Sequence, residues 1–174
     1  SSGAALAALR LEGISRSVEE RCRSLREDLA SFGDLEELHS HNSLNFWREV
    51  RDVRAFIDFG DRDALWKISV APAEAQALLN KLHAVADMDA FLDWGGGLIW
   101  AQVSGMDDGG SSIIRRTMGA KGGHATLIRG SIKQRALEPV FHPELPAVAR
   151  LTERIKDAFD PKRILNPGRM FEGV

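Results

Sequence analysis

An arginine one helical turn after a tryptophan is suited to binding a small carboxylate. Arg51 follows Trp47 by four residues, so in a helix the two side chains lie on the same face. A guanidinium held against an aromatic ring presents a planar fork that matches a carboxylate bidentately. A solvated, charged helix face, which would also carry Arg48 and Arg54, explains the same residues. The spacing therefore leaves both interpretations of Arg51 open.

A histidine that follows two glycines is the best candidate for moving a proton. His124 comes after Gly122 and Gly123 and precedes an apolar run that is typical of a strand. Glycines allow the backbone to approach a ligand closely, and imidazole exchanges protons near neutral pH. The alternative is a histidine that satisfies local backbone groups in a loop.

The other patterns that carry chemistry are incomplete. His39 and His41 form an H-x-H pair, but no carboxylate or third histidine follows at a matching spacing, so we expect no metal site. The run Gly95–Gly97 lacks a G-x-G-x-x-G context between a strand and a helix, so no dinucleotide cradle is expected there. His83 and His142 are expected at the surface or as capping residues.

The carboxyl-terminal tail has the most specific local pattern. A helix ending at Phe159 is followed by Asp160-Pro161, an apolar pair and then Asn166-Pro167-Gly168-Arg169. Proline stops the helix, and the second segment favours a tight turn that offers backbone amides and a cation to an electron-rich ligand. Ile164 and Leu165 are expected to pin this turn through apolar contacts.

Hydrophobic periodicity predicts interleaved strands and helices. Strands are expected at residues 6–11, 65–70, 91–94 and 98–103, with 91–103 forming either two strands or one strand with a glycine bulge. Residues 122–128 are expected to be a loop that leads into a last strand. Helices are expected at residues 17–32, 45–56, 72–85, 111–118 and 146–159. Cys22 is expected to be a small core residue. The side chains of the last helix expected to face inward are Val148, Leu151, Ile155, Ala158 and Phe159.

This order of elements predicts an α+β domain. The first and third predicted helices each lie between two strands, so they are expected to cross over a shared sheet. A ferredoxin-like antiparallel sheet with helices packed on one face is therefore the expected architecture.

Composition places the chain among soluble globular proteins. Of its 174 residues, 44% are hydrophobic and 28% are charged, which excludes disordered and collagen-like classes and suits one core. The net charge of −2 gives no electrostatic reason to expect nucleic acid as a partner. Cys22 is the only cysteine, so no disulfide framework is expected. No apolar run is long enough to span a membrane, and we expect a cytoplasmic protein.

Several segments together resemble a known family of flavoproteins. The tail, with Asp160-Pro161 and Asn166-Pro167-Gly168-Arg169, is similar to the carboxyl-terminal signature of FAD-linked oxidases of the vanillyl-alcohol oxidase type. Within that family, the chain resembles the FAD-binding E subunits of bacterial glycolate oxidases. The segments that match those subunits in order are Phe46–Arg51, Leu65–Val70, Asp93–Leu98, Gly122–Thr126 and Asn166–Met170.

The resemblance implies a cap domain over a flavin that is bound mainly by an amino-terminal domain. Residues 1–160 would form this substrate-facing cap, and residues 161–174 would return to the FAD-binding domain. Residue 1 is Ser rather than Met, so we expect a fragment, with a processed or tagged full protein as the alternative. Because the residues that cradle the FAD pyrophosphate are not in the sequence, we expect such a fragment to be colourless and inactive alone. The implied partners are the FAD-binding domain and other glycolate oxidase subunits, including an iron–sulfur subunit. Association with the membrane would come through such partner subunits.

The resemblance also assigns roles to particular residues. A 2-hydroxy acid such as glycolate would be held through its carboxylate by Arg51 and would lose its hydroxyl proton to His124, while FAD accepts the hydride. Asn166, Gly168 and Arg169 would contact the flavin. Related 2-hydroxyacid dehydrogenases have a histidine-rich metal segment where this chain has a single histidine, so no metal is implied.

Two interpretations without catalysis remain open. One is a ferredoxin-like module that binds a small molecule or another subunit. The other is a structural subunit in which Trp66, Trp94 and Trp100 form a docking surface, although such residues are more often found in a core. The tail favours the flavoprotein, because a regulatory module has no need of the Asn-Pro-Gly-Arg turn.

Overall fold

A four-stranded sheet and its helices make up most of the chain. The computed structural model describes residues 6–119 and 122–174, with one compact unit ending at Arg48 and a second spanning Glu49–Val174. Short 3-10 turns lie at Arg54–Phe56 and Trp94–Gly96. The strands are β1 (Ala64–Ser69), β2 (Met88–Asp93), β3 (Leu98–Val103) and β4 (His124–Arg129). The helices are α1 (Ser15–Leu29), α2 (Ser40–Arg51), α3 (Pro72–His83), α4 (Ser111–Met118), α5 (Ile132–Leu137) and α6 (Pro146–Phe159).

The sheet is antiparallel throughout, with the strand order β2-β3-β1-β4. The chain runs β1-α3-β2-β3-α4-β4, so α3 and α4 each connect two strands that are separated in the sheet by one neighbour. This confirms the ferredoxin-like α+β architecture expected from the sequence. The prediction that the first helix lies between two strands is wrong, because no strand precedes α1 in the described residues.

The core lies between one face of the sheet and helices α3 and α4. Trp66 and Ile68 of β1 are fully buried there, and the indole Nε1 of Trp66 donates to the carbonyl oxygen of Gly109 at 2.7 Å. The largest core side chain therefore has its polar atom satisfied. The helical residues packed in this core are Ala75, Leu78, Leu79, Leu82, Ile114 and Met118.

The strand predicted at residues 6–11 does not form. These residues have no regular structure, and Leu6 and Leu9 are exposed. The segment consists mainly of Ala and Leu, which favour strands less than β-branched residues do. None of β1 to β4 pairs with it, so its alternating pattern has no ladder to join.

The first helix, α1, is amphipathic but only half covered. Val18, Cys22, Leu25 and Leu29 are half-buried, Phe32 beyond its end is exposed, and no residue of α1 is fully buried. Cys22 was expected to be a core residue, but its side chain is only half-buried.

The second helix ends earlier than its periodicity predicts. The sequence indicated a helix over 45–56, whereas α2 is Ser40–Arg51. Val53 adopts a left-handed conformation with φ 52°, which breaks the helix before the 3-10 turn that buries Phe56. This break turns the chain from α2 toward the sheet.

The last helix, α6, has the predicted bounds but not the predicted burial. Its apolar stripe is 45% to 85% exposed, so the inward orientation expected for these side chains is wrong. Periodicity identifies an apolar face, but nothing in the described part of Glu49–Val174 covers it. The exposed members of the stripe are Val148, Leu151, Ile155 and Phe159.

A buried carboxylate organises the first residues after α6. Asp160 is buried, and its side chain accepts the N–H groups of Ile164 at 3.1 Å and Leu165 at 2.9 Å. The ammonium of Lys156 lies 2.9 Å from the same carboxylate. Ile164 and Leu165 expose most of their side chains, so the prediction that their apolar contacts pin the turn is wrong.

Acid should release this tail, because the hydrogen bond from Leu165, followed by that from Lys156, lowers the pKa of Asp160 from 3.8 to about 2. A depressed carboxylate pKa stabilises the fold above pH 3.8, and this contribution is lost as the pH falls toward about 2. We expect Asp160→Ala to accelerate hydrogen exchange at the Ile164 and Leu165 amides at neutral pH, measured by NMR. Glu153→Ala, an exposed position on α6, is the control. Unchanged protection in Asp160→Ala would contradict this account.

Candidate functional site

The side of the sheet opposite the core carries polar and aromatic side chains. Because side chains alternate along a strand, Lys67 and Ser69 point away from Trp66 and Ile68. Lys67 lies opposite Trp100 on β3 and Thr126 on β4. Ser69 lies opposite His124. We call the surface formed by Lys67, Ser69, Trp100, Thr126 and His124 the open face.

A cation is held between two indole rings on the open face. The Lys67 ammonium lies 5.7 Å from the ring centroid of Trp94 and 5.7 Å from that of Trp100. Trp94 is 72% exposed and Trp100 is half-buried, whereas Trp66 is in the core. Cation–π attraction therefore positions a positive charge on this face without neutralising it by a carboxylate. Lys67 was part of a sequence motif, but no role was assigned to it from the sequence. The signal that could have identified it was strand alternation, because inward Trp66 and Ile68 place Lys67 on the opposite side of the sheet.

The segment after α2 covers part of this side of the sheet, at β2 and at the Leu65 end of β1. Phe56 stacks on Phe91 of β2 with ring centroids 5.6 Å apart. The carbonyl oxygen of Asp58 accepts a hydrogen bond from Gln102 of β3 at 3.4 Å. Gln102 lies opposite Leu65, whereas Phe91 lies opposite Trp100 and therefore in the same row as Lys67. The covering thus reaches the β2 side of the Lys67 row, while Lys67 itself is half-buried and His124 is exposed.

His124 is exposed at the first position of β4. Gly123 precedes it with φ +97°, and a Cβ at this position would lie 2.3 Å from the carbonyl oxygen of Ser69. Only glycine allows such a close approach, so this glycine sets where β4 and His124 begin beside β1. The need for glycine at position 123 therefore comes from close packing against the backbone of β1, and not from the approach of a ligand.

A second histidine, His142, lies beside His124. Its Nδ1 accepts the backbone N–H of Ala125 at 3.4 Å, which fits the capping alternative expected from the sequence, and the residue is half-buried rather than fully exposed. Burial, followed by the positive charges of Arg115 and His124, lowers the pKa of His142. His142 is therefore favoured as a neutral hydrogen-bond acceptor next to His124. Its position depends on a contact across the fold, which no local pattern indicates.

Arg115 of α4 fastens the segment that carries His142. Its guanidinium lies 3.3 Å from the carboxylate of Glu138 and donates to the carbonyl oxygens of Pro139 and Phe141. The carbonyl oxygen of Val140 accepts the N–H of Leu127 at 2.9 Å. Residues 138–141 thus run along the outer edge of β4. Burial is the largest influence on the pKa of Arg115 and lowers it, while Glu138 opposes this effect.

Arg51 is exposed at the end of α2. Its Nε and Nη2 donate to the two carboxylate oxygens of Asp52 at 2.7 Å and 3.0 Å. This hydrogen-bonded pairing raises the pKa of Arg51. No hydrogen bond or ion pair joins Arg51 to His124 in the described residues. A substrate carboxylate at Arg51 would therefore have to replace Asp52.

Asn166, Gly168 and Arg169 lie together in one exposed turn, as their spacing predicts. The N–H of Arg169 donates to the carbonyl oxygen of Asn166 at 3.3 Å. Farther along, Phe171 approaches Phe141 with ring centroids 6.0 Å apart. Because Phe141 precedes His142, this contact brings the tail near the histidine pair.

His39 and His41 contact neighbouring side chains of their own segment. No group of three or more potential metal-ligating side chains occurs in residues 6–119 and 122–174. His41 lies 2.8 Å from the side-chain amide of Asn45, and His39 lies 3.8 Å from the carboxylate of Glu37. None of the described helices has the length and apolarity required to cross a bilayer.

The lowered pKa of His142 predicts a pH dependence of stability. Below the ordinary histidine pKa of 6.5, the unfolded chain binds a proton that the folded chain resists, so stability falls as the pH drops below that value. We expect His142→Asn, which keeps an acceptor for Ala125, to reduce this loss in urea unfolding. The exposed His83→Asn is the control. An identical pH dependence in His142→Asn and the unmodified chain would contradict the assignment.

Comparison with known proteins supports the resemblance seen in the motifs. Residues 133–170 match the family model described as FAD linked oxidases, C-terminal domain. Over 128 residues the chain is 30% identical to the glycolate oxidase subunit GlcE of Escherichia coli (strain K12), which covers 72% of this chain and 31% of that protein. The chain thus spans about a third of the length of this curated relative. No solved structure matches it. The chain is therefore similar to the carboxyl-terminal part of FAD-linked oxidases and, among them, to GlcE.

Proposed function

We propose that this chain is the substrate-facing cap of a flavin-linked oxidase or dehydrogenase that acts on a small 2-hydroxy acid such as glycolate. The similarity to FAD linked oxidases supports the reaction class, and the similarity to GlcE supports the choice of substrate. The chain's own contribution is to bind and orient the substrate and to accept its hydroxyl proton. FAD, when bound, accepts the hydride from the carbon that carries the hydroxyl group.

The open face is the observation that carries this proposal. Lys67 lies opposite Thr126, and His124 lies two residues from Thr126 on the same side of β4. Two strand residues span about 7 Å, a separation that flexible side chains can bridge around a molecule the size of glycolate. Lys67 supplies a fixed positive charge for a carboxylate, and an imidazole nitrogen of His124 accepts the hydroxyl proton.

Arg51 is proposed as a second carboxylate contact. Its fork matches a carboxylate bidentately, as its contact with Asp52 demonstrates. Exchange of Asp52 for substrate would keep a carboxylate on the Arg51 guanidinium. His142 is proposed as a positioning residue, because its contact with Ala125 fixes the start of β4 from which His124 projects.

The described residues suit contact with the ring of a flavin but offer no loop for its phosphates. Trp94 is largely exposed beside the Lys67 ammonium, and an uncovered indole suits stacking on a planar, electron-poor ring such as that of an oxidised flavin. No glycine-rich loop opens a helix with the dinucleotide spacing. We therefore propose that Asn166, Gly168 and Arg169 contact the flavin from the tail, and that another domain holds its pyrophosphate.

The proposed partners follow from surfaces that the described unit leaves uncovered. The apolar stripe of α6 and the turn at 166–169 are both exposed, and the relative is about three times longer than the matched region. We propose that an amino-terminal FAD-binding domain packs on these surfaces, with residues 1–160 as the cap and 161–174 as the returning tail. Further glycolate oxidase subunits, including an iron–sulfur subunit, are proposed electron acceptors in a cytoplasmic complex that reaches the membrane through those subunits.

Substitution of the two cations tests the substrate-binding role. In the assembled flavoenzyme we expect Lys67→Met and Arg51→Ala each to raise the KM for glycolate by about tenfold or more, because a charge-assisted contact is lost. FAD content should be unchanged, and Arg51→Lys should restore little, because lysine lacks the planar fork.

The exposed Arg54→Ala is the matched control, since it removes a nearby cation from the same segment. An unchanged KM in Arg51→Ala alone would show that Arg51 is a solvated surface residue and not a substrate contact. An unchanged KM in Lys67→Met as well would contradict the proposal that the open face binds the substrate.

A further inference from the structure

We propose that a cavity at the other end of β4 binds a small phosphoryl dianion. The cavity has a volume of about 290 Å³. It lies between the loop at residues 59–61 and the residues that end β4, and Arg129 and Arg135 both line it. Nothing in the proposed flavin chemistry uses these residues.

An irregularity in β4 and an aromatic ring together position Arg129. Pairing with β1 steps from Leu127 opposite Trp66 to Arg129 opposite Leu65, so β4 contains one additional residue at this point. Such a bulge redirects the side chain that follows it. The guanidinium carbon of Arg129 then lies 4.3 Å from the ring centroid of Phe59. Stacking on a ring face leaves the in-plane N–H donors of the guanidinium available.

Arg135 supplies the second set of donors. Its Nη2 makes one long hydrogen bond, 3.4 Å, to the carbonyl oxygen of Ile128. Neither Arg129 nor Arg135 forms an ion pair with a carboxylate in the described residues. The Ser131 hydroxyl, which also lines the cavity, accepts the N–H of Gln134 as a helix cap and keeps its own O–H as a donor. The two guanidiniums are therefore the charged donors for a ligand, and the Ser131 O–H is a neutral one.

Charge and size favour a phosphoryl group over a single carboxylate. The Asp61 carboxylate also lines the cavity. Without a ligand, Arg129, Arg135 and Asp61 together carry one net positive charge. Two guanidinium forks match the several oxygens of a phosphoryl group, and a dianion can engage both despite Asp61. The volume is at the lower end of the range for ligand pockets, roughly 300 Å³, which suits a phosphoryl group with a small substituent.

This site is separate from the open face. Arg129 pairs with Leu65, whereas His124 pairs with Ser69. Four residues along β1 correspond to about 13 Å. Loss of phosphoryl binding would therefore leave the proposed cap function untouched, and loss of that function would leave this site untouched.

NMR titration of the 174-residue chain with inorganic phosphate tests the proposal directly. We expect saturable shifts at the amides of Arg129, Gly130 and Ser131. Arg129→Ala and Arg135→Ala should each weaken binding by about tenfold, whereas Asp61→Asn should strengthen it. Lys133→Ala is the matched control, because Lys133 is an exposed cation on α5 that does not line the cavity.

The Asp61 variant keeps the test decisive if an arginine variant fails to fold. Parallel titrations with pyrophosphate and ADP distinguish the source of the group: tighter binding of ADP indicates a nucleotide, and equal affinities indicate a free phosphate. Absence of saturable shifts, an equal loss in Lys133→Ala, or no gain in Asp61→Asn would each overturn the proposal.

Discussion

The alternation of side chains along β1 determines both the core of this protein and the surface it offers to a ligand. β1 is hydrogen-bonded on both edges, to β3 and to β4. Trp66 and Ile68 pack under the helices, while Lys67 and Ser69 face the other way. A slip of one residue would expose Trp66 and bury an unpaired ammonium, which costs several kcal/mol. The same requirement that buries the indole therefore fixes the cation between Trp94 and Trp100.

Charged groups hold the parts of the chain that the core does not reach. Arg115 ties residues 138–141 to α4 and, through them, places His142 beside His124. Asp160 organises the start of the tail by accepting two backbone N–H groups. Both groups are themselves buried or partly buried, so their hydrogen bonds are shielded from water and restrict the chain to one path. The Phe141–Phe171 contact then links the two regions.

Local patterns predicted what local forces decide. The alternation of β1, the apolar run of β3 and the amphipathic pattern of α3 predicted these three elements, because each buries apolar side chains in the shared core. The strand predicted at residues 6–11 is wrong because alternation does not supply a pairing partner. The burial predicted for α6 is wrong because an apolar stripe does not identify what covers it. The position of Lys67 on the open face depends on the register that places it opposite Trp100, and the position of His142 depends on the pairing of Val140 with Leu127. Both contacts join residues far apart in the sequence, so local spacing could not predict them. The roles of Arg51 and His124 remain predictions.

Reduction of the flavin by substrate tests the central claim most directly. Glycolate is added without oxygen to the assembled flavoprotein that contains this chain, and the absorbance of the oxidised flavin is followed. The account predicts that glycolate bleaches this absorbance with saturation, as expected if the open face binds the acid and His124 accepts its proton. A flavin that stays oxidised with glycolate and lactate, yet is bleached by dithionite, would contradict the assignment of a 2-hydroxy acid substrate.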